Sequence, residues 1–131
     1  MREHHQNKYA TPPAHAAVTL QGCSGQIYGF TAFPLAAPVG GAGICVFVRP
    51  PDALSGFASS WWTPLYVCGS RDLGDSGAMP RGIHEQARRM GATHVLVRFC
   101  DRGDDARRAI ADDLITALRP PLNAEGRRAA A

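Results

Sequence analysis

The chain has 131 residues and a mass of 14.0 kDa, enough for one domain, and its 45% apolar and 19% charged residues exclude a disordered, charge-dominated chain. No apolar run approaches the ~20 residues of a membrane-spanning helix, and the opening MREHHQNKYATPPAHAA lacks the apolar stretch of a secretory signal, so a soluble cytoplasmic protein with no membrane partner is expected. The formal net charge of +3 rests on thirteen arginines and the single Lys8, in a chain rich in Ala, Gly and Pro, and reads as GC-rich coding bias rather than as a phosphate-binding surface.

Residues 1–24 form the expected N-terminal arm, polar, without hydrophobic period and flexible, with His4, His5 and His15 on a solvated tail. Gln26 to Leu35 is rich in aromatic and β-compatible residues and gives one strand or two short ones. After the turn cluster APVGGAG, Ile44 to Val48 is a buried strand stopped by Arg49-Pro50-Pro51. A small polar loop, Asp52 to Ser60, precedes Trp61 and Trp62, which lead into a second such strand, Pro64 to Cys68. Arg71 to Gly82 is a long loop, and Ile83 to Met90 favours helix, with Gly91 in the place of a C′ glycine. Thr93 to Phe99 alternates His94, Leu96 and Arg98 against Val95, Val97 and Phe99, the period of a strand with one apolar face. Asp-Arg-Gly-Asp-Asp then offers N-cap carboxylates to a helix from Asp105 to Arg119, whose Ile110, Ala111, Leu114, Ile115 and Leu118 share one face. Pro120-Pro121 ends it, and residues 124–131 read as a disordered tail. The order predicts an α+β fold: a small central, mainly antiparallel sheet flanked by helices, with an extra N-terminal strand or hairpin.

Cys23, Cys45, Cys68 and Cys100 are widely spaced, without a C-x-x-C pair or zinc-finger histidines. Cys45 and Cys68 lie inside apolar runs, where a thiol behaves as a small hydrophobe, and all four are expected to be reduced.

Three pieces in order carry a resemblance: GICVFV (Gly43 to Val48), PLYVCGSRDL (Pro64 to Leu73) and DLITALRPPLN (Asp113 to Asn123). Together with GATHVLV (Gly91 to Val97) they are similar to a GIY-YIG nuclease domain of the small bacterial kind, over residues 25–123. The resemblance implies cleavage of nucleic-acid phosphodiesters with one divalent metal. Such chemistry needs a carboxylate for the cation, a tyrosine or histidine for proton transfer, and an arginine facing the phosphate. By resemblance Tyr66 is the second-strand tyrosine, Arg81 and His84 fill the arginine and acid/base places, and Asn123 ends the P-P-x-N motif.

The chain departs from that pattern in several places. The first-strand tyrosine is Cys45, the glycine of the second motif is Cys68, and Gly74-Asp75-Ser76 stands where the arginine usually comes. The metal-binding glutamate is Ala111, which has no ligand atom. Asp112 is the one weak candidate for a metal ligand, but it lies ~100° around the helix from Ala111, and Asp113 ~200°, so both read as solvated acids. Arg107 and Arg108 are expected to pair with Asp104 or Asp112 at helical spacing, His94 to be exposed or a capping partner, and Trp61-Trp62 to pack at the core or rim rather than stack on bases.

The expected function is therefore a catalytically degenerate nuclease-fold protein that keeps weak, salt-sensitive nucleic-acid binding and no cofactor. Two alternatives stay open. One is an active endonuclease with a rearranged site, using Mg²⁺ or Mn²⁺; the other is a generic α+β protein-interaction module whose partner the sequence does not name.

Overall fold

Short β-rich runs bounded by Gly and Pro become the strands, and the two amphipathic stretches become the helices. The computed structural model describes residues 17–50, 62–75, 77 and 79–123. In chain order they form β1 (Ala17–Gln21), β2 (Ile27–Pro34), β3 (Gly43–Arg49), β4 (Thr63–Ser70), α1 (Ile83–Arg89), β5 (His94–Phe99) and α2 (Asp104–Leu118). The strands make one five-stranded sheet in the order β1-β2-β5-β3-β4, antiparallel at every pairing. This is the expected α+β class, and the extra N-terminal element read over Gln26 to Leu35 as a strand or two short ones is the single strand β2. The calls on 1–16, 51–61 and 124–131, including Trp61, fall outside the described residues.

β3 lies between β5 and β4 and is covered on both faces, which is why its run is apolar at successive positions rather than alternating. On one face Ile44, Val46 and Val48 join Tyr28, Phe30, Leu96 and Val67 under α2, whose Ala111 and Leu114 complete that core. On the other face Cys45, Phe47, Tyr66, Val95 and Val97 meet Ile83 and Ala87 of α1. Two cores thus sandwich the sheet, one per helix. No helix among the described residues is long and apolar enough to cross a membrane.

Three expectations change. The arm drawn over residues 1–24 ends earlier, because Ala17–Gln21 pairs with β2 and places Val18 and Leu20 against the α2-side core. Only Val18 and Leu20 are large apolar residues in that strand, too few to register as a period. β5 does not have one apolar face: Val95, Leu96 and Val97 are all buried because β2 and β3 flank it between two cores, while Phe99 is 61% exposed. The start of α2 also differs. Gly103 is the N-cap, no side chain caps the helix, and Asp104 turns instead to the Arg107 guanidinium. Arg107, 5% exposed, additionally donates to the Cys100 carbonyl at 3.0 Å, so the expected pairing holds for Arg107 and buries it.

Candidate functional site

The candidate residues come from β4, α1 and the chain after α2. Tyr66 stands opposite Phe47 in the β3–β4 register, with ring centroids 6.1 Å apart. Phe47 in turn meets the His84 ring edge-on at 5.6 Å, so one phenylalanine bridges the phenol and the imidazole. Arg81 precedes α1 by two residues and lines, with His84, Leu73 and Met79, a cleft of about 670 Å³. The structure therefore brings Tyr66, His84 and Arg81 to the same side of the sheet, with His84 and Arg81 exposed at the cleft and Tyr66 sunk beneath it.

That burial governs the phenol. Tyr66 is 7% exposed, and burial, followed by the neighbouring Cys68 and Cys45, pushes its ionisation well above the ordinary tyrosine range. Its hydroxyl is hydrogen-bonded to the Cys68 sulfur. The group stays protonated at neutral pH. Cys45 is buried as well, and desolvation raises its thiol above the usual cysteine range.

Asn123 has a different occupation. Its side-chain carbonyl accepts the Val67 N–H at 2.7 Å and its amide donates to the Val67 carbonyl at 2.9 Å. A side-chain amide thereby acts as one more strand residue on the outer edge of β4, satisfying backbone groups that the sheet leaves open. Neither half of that amide is spare for a substrate.

Ala111 and Asp112 lie on the other side of the molecule. Ala111 is 7% exposed in the core between α2 and the sheet, while Asp112 is exposed on the outer surface of α2. Asp113, read as solvated from its helical angle, is not idle. It accepts hydrogen bonds from the Ser24 N–H at 2.8 Å, the Ser24 hydroxyl at 2.7 Å and the Tyr28 hydroxyl at 2.8 Å. The reason is the β1–β2 hairpin, which folds back over this side of α2 and brings its turn to the carboxylate. Gly22 makes the approach possible, since a Cβ there would lie 2.1 Å from an Asp113 carboxylate oxygen. Arg98 stacks over the same Tyr28 ring at 5.8 Å. Sequence inspection misses this latch because its partners are 85 and 89 residues apart and no local motif joins them.

The Ser24 hydroxyl, the Tyr28 hydroxyl and the Ser24 amide hold the Asp113 carboxyl below the ordinary carboxylate range. A depressed folded-state value contributes stability above the unfolded-state value and loses it as pH falls through the folded one. The stability difference between wild type and Asp113→Asn should therefore be constant near neutrality and shrink on acidification below the ordinary carboxylate range. Denaturant midpoints across an acid pH series measure it; a difference that does not change with pH would rule the latch out as a titrating contact.

The other candidates have structural positions. His94 is half-buried, lies 2.8 Å from the Thr93 hydroxyl and packs edge-on against Trp62 at 4.9 Å; desolvation lowers its pKa. Trp62 packs on the α2-side core, as expected for a rim tryptophan. Arg108 is exposed.

A divalent ion does not fit these residues. Ala111 of α2 has no ligand atom and is buried against the sheet, Asp112 is on the face opposite Tyr66, and Asp113 is committed to three donors. Among the described residues no three His, Cys, Asp or Glu side chains come together as a metal site. No protein-family model, curated protein or solved structure matches the chain.

Proposed function

We propose that this chain is a GIY-YIG-like domain that does not cleave phosphodiesters and holds nucleic acid weakly, through phosphate contacts to arginine. The observation that carries the first half is the placement of Ala111: it lies in the α2-side core, away from Tyr66, and α2 presents Asp112 on the opposite side of the sheet from the phenol. Water activation and charge neutralisation at a phosphate then lack their metal. Tyr66 is a protonated donor under a hydrophobic cover, and Arg81 by itself supplies charge without a nucleophile.

The binding half is supported by the surface around α1. Arg81, Arg88 and Arg89 are exposed there beside His84. Glu85 draws on Arg88 and Arg89 through pairs of 3.5 and 3.6 Å. Exposed pairs of that kind are worth little and exchange readily for a phosphate. With so few cations, affinity is low and falls as salt rises.

Plasmid nicking with Mg²⁺ or Mn²⁺, with and without chelator, on wild type and Tyr66→Phe tests the first half. No cleavage above background is expected. Nicking by the wild type that chelator stops and Tyr66→Phe abolishes would overturn it. Fluorescence anisotropy of a labelled oligonucleotide across a salt series tests the second half. Weak binding that declines with salt, and declines further in Arg88→Ala/Arg89→Ala, is expected; salt-insensitive binding or none at low salt would retire it.

A further inference from the structure

The β3–β4 register sets Cys45 directly opposite Cys68. Directly opposed residues of antiparallel strands point to the same face. Both side chains accordingly lie on the α1 side, Cys45 inside the core and Cys68 half-buried at its margin. Asn123 reveals the kind of pair. Because its amide takes both Val67 backbone groups from the outer edge, Val67 and Val46 form a non-hydrogen-bonded pair. The next pair along, Cys45 with Cys68, is then one that exchanges its own backbone hydrogen bonds.

Such a pair separates the Cα atoms by ~5.5 Å, inside the range disulfides adopt. Its Cβ atoms stand toward the upper end of ~4.5–5.5 Å, wider than the ~3.8 Å mean of a disulfide. Bond formation asks the Cβ atoms to close by roughly 1.5 Å, and that strain makes the bond easy to reduce. Among the described residues β4 has a strand neighbour on one side alone, so it is the strand able to move.

We propose that Cys45 and Cys68 are a reversible thiol–disulfide pair, oxidised to an intramolecular disulfide by a low-molecular-weight disulfide such as oxidised glutathione. Cys68 is the point of entry, because it is the more accessible of the two. The Cys68 sulfur loses its proton and attacks one reagent sulfur; the reagent S–S bond breaks and one glutathione leaves as the thiol. The Cys45 sulfur then loses its proton and attacks the Cys68 sulfur of the mixed disulfide, expelling the second glutathione. Two protein thiols are oxidised to one disulfide, and one reagent disulfide is reduced to two thiols. Burial holds both cysteines above the usual thiol range, which slows thiolate attack and calls for the reagent in excess.

The full-length folded protein, incubated with excess oxidised glutathione and digested without reductant, gives the test by peptide mass mapping. A peptide pair joined through Cys45 and Cys68, lighter by the two hydrogens lost, should be the main cross-link and should disappear under excess reduced glutathione. Exposed Cys23 should carry glutathione alone. Cys68→Ser, a change at the half-buried margin, should abolish the cross-link while circular dichroism stays as in wild type; should that variant misfold, the wild-type map decides by itself. A lasting glutathione adduct on Cys68 without a cross-link, unmodified Cys45 and Cys68 under excess reagent, or cross-links to Cys23 or Cys100 in comparable yield would overturn the proposal.

Discussion

Leu114→Ala should lower the stability of the fold by roughly 2–5 kcal/mol, the range for a leucine removed from a packed interior. Leu114 has no exposed surface and sits where α2 closes the core over Ile44, Val46 and Val67. Truncation loses the transfer free energy of the side chain and leaves a cavity that rigid strands on one side and a 15-residue helix on the other cannot fill. Asp112→Ala, two residues earlier on the exposed side of the same helix, should stay within about 0.5 kcal/mol. The pair controls for helix propensity, since both changes introduce alanine into one helix. Urea midpoints of the two variants measure the contrast. Similar losses from both would mean that Asp112 has a buried partner, and a small loss from Leu114→Ala would mean that α2 is not the cover of this core.

The elements that sequence reading recovers are those whose signal is local. Ile44 to Val48 and Pro64 to Cys68 are compact apolar runs fenced by Gly and Pro, and they emerge as the heart of β3 and β4. The helical spacing of Ala111, Leu114 and Leu118 similarly yields α2, within one residue at each end. Where both faces of a strand are covered, the period fails as a guide. Leu96 looked like the polar side of β5 because His94 and Arg98 flank it, yet it is fully buried.

The site was legible to a lesser degree, for a reason that recurs at each miss. A residue's angle on a helix or its parity in a strand says which way it points and not what arrives from elsewhere in the chain. Asp113 pointed away from the apolar stripe as expected, but the hairpin turn at Ser24 covers that direction. Asn123 was read through a motif as a site residue, and it has become the outer partner of β4. Cys45 and Cys68 looked like two isolated small hydrophobes until the β3–β4 register paired them.

Gly43→Ala should destabilise the protein by about 1–3 kcal/mol, the usual cost of forcing an atom into a closed space. Gly43 opens β3, and a Cβ there would lie 2.5 Å from the Arg98 carbonyl oxygen and 3.1 Å from the Phe99 Cα. Both obstacles are backbone of the partner strand, so no side-chain rotation relieves the contact and the end of the β3–β5 pairing must open. The same substitution at Gly29 should have the opposite sign. Nothing stands within 4 Å of a Cβ built there, and its backbone is not left-handed. Replacing a strand glycine in open space restricts the unfolded chain without a native clash and stabilises by about 0.4–1 kcal/mol. Thermal midpoints falling for Gly43→Ala and rising for Gly29→Ala are the expected pattern. The first glycine of the GICVFV run is then a packing requirement of the sheet; a Gly43→Ala midpoint at or above wild type would show instead that β3 and β5 do not approach this closely.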